Sequence, residues 1–216
     1  MKKWGDDGRK NTVVIYHFIL KRNIKDNSVY KMSIDKVCKI ILKDCMNLKK
    51  NESCLIITDQ KLKNIGNALY ENSLKMTKNS NMLLTKIPKT HGNEPPEYIT
   101  NEMLKYDVIL LATTKSLSHT RARKNASKKG ARIASMPGIT NDMMKRTLNV
   151  NFYKIKKVNN KLISKLKNKN KIKIITKKGT DIGFYLKGRK WLNDCGIMTK
   201  KGAFGNLPSG EIFIAP

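Results

Sequence analysis

Strand-length apolar runs, separated by segments of helical period, restrict this chain more than any other feature. Cys54–Thr58 (CLIIT), Asp107–Ala112 (DVILLA) and Ala131–Ser135 (ARIAS) are nearly continuous in apolar or small residues. Such runs suit strands covered on both faces. Met82–Ile87 is a further strand candidate. Between these runs the period changes. Ser33 is a good N-cap, and Ile34, Val37, Cys38, Ile41, Cys45 and Leu48 follow at helical spacing. Residues 61–78 predict a helix with Leu62, Ile65, Ala68 and Leu69 inward. Residues 98–104 predict a short one. Residues 118–129 predict another, with Ser118 as its cap and Gly130 as its stop. Thr140 caps a last helix running to about Leu148, and Pro88–Pro96 reads as a loop.

Strands alternating with helices form a parallel sheet with helices on both faces. The fold class expected is therefore α/β, a Rossmann-like doubly wound parallel sheet, followed by the start of a second α+β domain. Residues 1–32 are irregular and charged and read as an extension, non-native or disordered, with Met32 a candidate start. Residues 33–165 form the α/β domain, and residues 166–216 begin the second. Lys154–Asn170 reads as a lysine-rich connection. Lys171–Thr176 alternates and pairs with Asp181–Leu186 through a turn at Lys177–Gly179. Glu211–Pro216 is a final strand with no evident partner.

Charge is the second constraint. Lys and Arg total 45 against 16 Asp and Glu, a net charge of +29. Weak, salt-sensitive binding to polyanions follows. The lysines are scattered, with no interleaved aromatic residues, so compositional drift explains them better than selected nucleic-acid binding. Cys38, Cys45, Cys54 and Cys195 form no CxxC pair, which suits reduced core thiols in a cytoplasmic protein. The apolar run Val13–Leu20 is too short to span a bilayer, so no membrane association is expected.

Few residues point to chemistry. Thr113–Thr120 follows the third strand, where open α/β sheets bind ligands, and a helix N-terminus there suits an anion. No GxGxxG or P-loop accompanies it, and a capping role for Ser118 with His119 in the first helical turn is the simpler reading. His91, in a Gly/Pro loop, reads as solvent-exposed. Asp59 and Asp107, at opposite ends of their strands, read as a loop polar residue and a strand-opening residue rather than an acid pair. Glu211 follows the turn Pro208-Ser209-Gly210 at the head of an apolar strand. Backbone geometry would hold such a carboxylate as an oxygen ligand for a dication. A solvated strand-opening residue has the same local pattern.

Four segments in order carry a family resemblance. They are DKVCKIILKDCMNLKKNESCLIITD (35–59), SLSHTRARKNASKKGARIASMPGIT (116–140), GTDIGFYLKGRKW (179–191) and GNLPSGEIFIAP (205–216). Together they resemble the aminopeptidase T-like metallo-aminopeptidases. The resemblance implies a metal-dependent hydrolase that removes N-terminal residues from peptide substrates and forms a homodimer. It implies a two-metal site of zinc, cobalt or manganese, with Glu211 as a metal ligand. The family's further ligands lie downstream of the stretch matched, so the chain is expected to be truncated and inactive alone, with its catalytic residues unknown. Two alternatives stand beside it: a related iron-dependent, ring-cleaving dihydroxypyridine dioxygenase, and a non-catalytic basic α/β protein that binds polyanions.

Overall fold

The computed structural model describes residues 12–16, by backbone only, and residues 33–214. The other expectations for residues 1–32 lie outside the described residues. The described residues fall into two compact units: 33–152 with 196–209, and 12–16 and 153–195 with 210–214.

The first unit is the Rossmann-like α/β fold. Its strands are β2 (Cys54–Asp59), β3 (Ser80–Thr85), β4 (Val108–Ala112), β5 (Arg132–Ser135) and β9 (Phe204–Asn206). They form one five-stranded sheet in the order β3-β2-β4-β5-β9. All pairings are parallel, with Ile56 beside Met82 and Leu110, Ile109 beside Ile133, and Ala134 beside Gly205. Every residue of β2, β4 and β5 is buried, as expected of a sheet covered on both faces. Alternation puts Leu55, Ile57, Ile109, Leu111 and Ile133 into one core cluster. Ile99 and Met103 of α3 (Glu97–Met103) join it, with Ala122 and Ala126 of α4 (Arg121–Lys129).

The remaining helices of this unit are α1 (Ile34–Ile40), α2 (Lys63–Leu74) and α5 (Asn141–Thr147). Ser33 caps α1 as expected, accepting from Lys36 N, and the helix continues through a π-helical turn at Ile41–Cys45. Thr140 caps α5. Gly130 closes α4 in the left-handed region, at φ 113°. Helix α2 lies so close to β2 that a Cβ on Gly66 would fall 2.6 Å from Thr58 Cγ2.

Three local expectations change. Thr120, not Ser118, caps α4, accepting from Arg123 N, so the helix begins after His119. Residues 204–206 supply a fifth parallel strand that three residues of weak pattern did not announce. Lys154–Asn170 is mostly helix: α6 spans Phe152–Leu166. Its inward positions Phe152, Ile155, Asn159, Leu162 and Leu166 keep helical spacing, but the lysines between them and the buried Asn159 obscure the stripe.

The second unit holds the rest of α6 with two small sheets. β6 (Lys171–Ile175) lies between β1 (Thr12–Tyr16), parallel, and β7 (Asp181–Tyr185), antiparallel. This is the hairpin expected, with Lys173 ion-paired to Asp181 at 3.0 Å. The final strand does have a partner. β10 (Glu211–Phe213) runs antiparallel to β8 (Leu192–Asp194). Among the described residues no helix is long and apolar enough to cross a membrane.

Candidate functional site

The carboxyl ends of β2, β4, β5 and β9 meet a tight polar network rather than an open cleft. Asp59, at the end of β2, is fully buried. Its carboxylate accepts from Thr114 N at 2.5 Å and Thr114 Oγ1 at 2.9 Å, and from Lys61 N and Leu62 N at 3.1 and 3.3 Å. It is a clamp between two loops. Ser118 Oγ lies 2.9 Å from both Ser116 Oγ and Ser135 Oγ and 3.2 Å from Asn206 Oδ1. Ser116 N donates to His91 Nδ1 at 3.0 Å, which pins the otherwise exposed His91 to this loop.

The N-terminus of α4 is already neutralised from within. Glu94 accepts from Arg121 N at 2.6 Å and from Ala122 N at 3.2 Å. A carboxylate of the chain's own loop thus occupies the place where an anionic ligand would sit. Arg123 donates through Nε to Ser118 O at 2.6 Å and stacks 4.1 Å above Phe204. Burial pulls its pKa down from the usual guanidinium range. His119 is exposed and takes no part in the cluster. At the opposite sheet end, Asp107 accepts from Ser53 N and Ser53 Oγ, both at 2.9 Å. Asp59 and Asp107 each serve one loop junction and do not act as a pair.

Cys38 and Cys54 are held as neutral thiols. All four cysteines are buried and unbridged, and desolvation pushes the Cys38 and Cys54 thiols up to about 12. A metal ligand needs the deprotonated form.

In the second unit, Glu211 opens β10 with its residue exposed to solvent. Asn159, buried on α6, donates through Nδ2 to Glu211 O at 3.1 Å and to Asn193 Oδ1 at 2.8 Å. Asn193 in turn donates to Asn160 Oδ1 at 2.8 Å. This amide ladder fixes the backbone from which the Glu211 carboxylate projects. Directly across the ladder stands Asp194, and opposite residues of an antiparallel pair have Cβ atoms ~5 Å apart. Sequence reasoning missed Asp194, because only the β8–β10 register brings it to Glu211. Among the described residues no group of three or more His, Cys, Asp or Glu side chains forms a metal-binding cluster.

Comparison with known proteins bears on this arrangement. The family described as NicX, 2,5-dihydroxypyridine 5,6-dioxygenase, matches residues 40–216. Among solved structures, 2,5-dihydroxypyridine dioxygenase from Pseudomonas putida KT2440 superposes with a TM-score of 0.62 at 17% identity. The alignment covers 85% of this chain and 55% of that one. At that identity the superposition speaks for the fold, and the chain spans little more than half of the solved enzyme's length. No curated protein matches. The aminopeptidase T-like resemblance is thereby corrected, and with it the description as hydrolase, aminopeptidase and metalloprotease. Its later segments fall inside the matched region, where a strand-borne carboxylate on an α/β scaffold does not specify the reaction.

Proposed function

The chain belongs to the 2,5-dihydroxypyridine 5,6-dioxygenase family, and from that premise we propose that it serves oxidative ring opening of a hydroxylated nitrogen heteroaromatic. The observation that carries this reading is the family match, which spans residues 40–216. The aminopeptidase reading rested on segments most of which lie inside that matched stretch.

Iron is the metal proposed, in place of zinc, cobalt or manganese. A non-haem iron site of the oxygenase kind uses two imidazoles and a carboxylate with open positions for substrate and oxygen. The described residues do not complete such a set. They offer the Glu211 carboxylate, with Asp194 opposite it, on a backbone held by Asn159. Glu211 is accordingly proposed as one oxygen ligand. The described residues carry no catalytic step through the metal. Their contribution is the scaffold: a buried parallel sheet whose loop ends are clamped by Asp59, Ser118 and Glu94.

The test pairs two substrates. The purified protein with ferrous iron and oxygen is offered 2,5-dihydroxypyridine, and loss of ring absorbance is followed with oxygen uptake. Ring loss with matching oxygen consumption is the outcome expected of this reading. Release of p-nitroaniline from an aminoacyl anilide with cobalt or zinc, without ring loss, would overturn it. Equilibrium dialysis against ferrous iron gives a readout independent of turnover: Glu211→Gln should bind less iron than the parent protein.

A further inference from the structure

In the second unit, α6, β6, β7 and β10 surround a hollow of about 660 Å³. Its walls are almost wholly apolar and include Leu162, Ile172, Phe184, Trp191, Ile212 and Ile214. Leu162, Ile172, Phe184 and Ile212 belong to regular elements, Trp191 and Ile214 flank β8 and β10, and together they have the composition of a domain core. Only Leu166, Ile172 and Leu186 of this cluster are truly buried. Ile182, Tyr185 and Phe213 line the hollow while exposing 53%, 69% and 42% of their surface. A contiguous apolar surface of this kind marks a place where something else packs.

The surrounding charge says what kind of occupant fits. Residues 153–195 and 210–216 carry fourteen lysines and arginines, from Lys154 to Lys190, against Asp181, Asp194 and Glu211 alone. Arg189 is itself in the hollow's wall. A second copy of the chain would bring the same excess of cations against this one, and like charges brought together cost several kcal/mol of affinity. An acidic partner gains from the same field, in encounter rate and in affinity.

We propose that the hollow is one half of a hydrophobic core and docks an acidic polypeptide segment with an apolar face. The apolar face fills the space between α6 and the two small sheets, and flanking Glu or Asp side chains meet Arg189 and the unit's excess of lysines. The mode is that of an amphipathic segment laid into a groove. The inference stands apart from iron and from Glu211, so its failure leaves the dioxygenase reading untouched.

Trp191 in the wall supplies the readout. The chain has two tryptophans, so Trp4→Phe leaves Trp191 as the sole emitter. This protein is titrated with a synthetic amphipathic peptide bearing leucines on one face and glutamates on the other, and with its lysine twin. The expected result is a saturable blue shift of Trp191 with the glutamate peptide, absent with the twin, weakened by salt, and abolished by Ile182→Asp. Ile182 is half-exposed, so that substitution leaves the fold standing, which circular dichroism checks. No shift with the glutamate peptide, an equal shift with the twin, or a shift that survives Ile182→Asp would overturn the proposal. So would sedimentation showing that self-association of the chain fills the hollow first.

Discussion

The two units use their apolar residues in opposite ways. In the parallel-sheet unit, β2, β4 and β5 bury every residue, and helices close both faces. In the lysine-rich unit, β7 buries none of its five residues, and large side chains such as Tyr185 stand in solvent. The contrast follows from topology. A βαβ crossover brings its own cover for the strands it connects, whereas a hairpin leaves one face to be covered by something that comes later or from elsewhere. Stability should therefore reside in the first unit and binding in the second.

The sharpest way to break this comparison is a core truncation. Ile109→Ala, at the centre of the sheet, should cost about 4 kcal/mol, read as a lower urea midpoint. A cost below that of a surface change would show that the sheet is not the stability centre. Next comes the largely buried ion pair between Arg132 and Glu52. Arg132, 7% exposed in its side chain, donates from both terminal nitrogens to Glu52 and through Nε to Met46 O. Glu52→Ala strands that guanidinium, and ~3 kcal/mol should be lost.

The same pair gives a pH signature. Hydrogen bonds from Arg132 hold the Glu52 carboxyl below its ordinary value of 4.5. A depressed folded pKa contributes stability that is present above the unfolded value and lost as pH falls through the folded one. Between about pH 5 and pH 3, the parent's urea midpoint should therefore fall more steeply than that of Glu52→Gln. Parallel slopes would remove Glu52 from the acid response.

Gly66→Ala follows with a smaller effect. The new methyl meets the Thr58 side chain, and α2 must shift off β2 at a cost of roughly 2 kcal/mol. The smallest effect belongs to the other unit. Ile182→Ser should change stability by less than about 0.5 kcal/mol, although the same position is decisive for docking. A large loss there would mean that the lysine-rich unit has a core of its own and would erase the contrast.

Local pattern carried most of the first unit. Cys54–Thr58, Asp107–Ala112 and Ala131–Ser135 announce buried strands because apolar or small residues dominate each, and Ser33 and Gly130 announce helix ends by their own stereochemistry. Prediction failed where a role depends on a distant partner. Ser118 satisfies the local rule for a cap, yet Thr120 takes that place while Ser118 turns to Ser135 and Asn206. Glu94 sits in a loop of no particular pattern and becomes the carboxylate at the start of α4. Nothing in residues 204–206 distinguishes a fifth parallel strand from a turn until β5 lies beside it.

The candidate site divides along the same line. The place of Glu211 at the head of a strand was legible from the Pro-Ser-Gly turn before it, while a ligand role for it came from family resemblance and not from local pattern. Asp194 was not legible, since seventeen positions separate it from Glu211 along the chain and only strand register makes them neighbours.

Sequence alone thus determined the α/β class, the alternation of buried strands and helices, the unbridged cysteines and the large positive charge, all of which arise from local periodicity and composition. Tertiary structure decided which carboxylates are consumed as internal clamps, which one faces solvent beside a second, and which apolar residues remain uncovered. Those outcomes depend on register and packing between segments far apart in the chain, and single-residue preferences contain no term for such pairings.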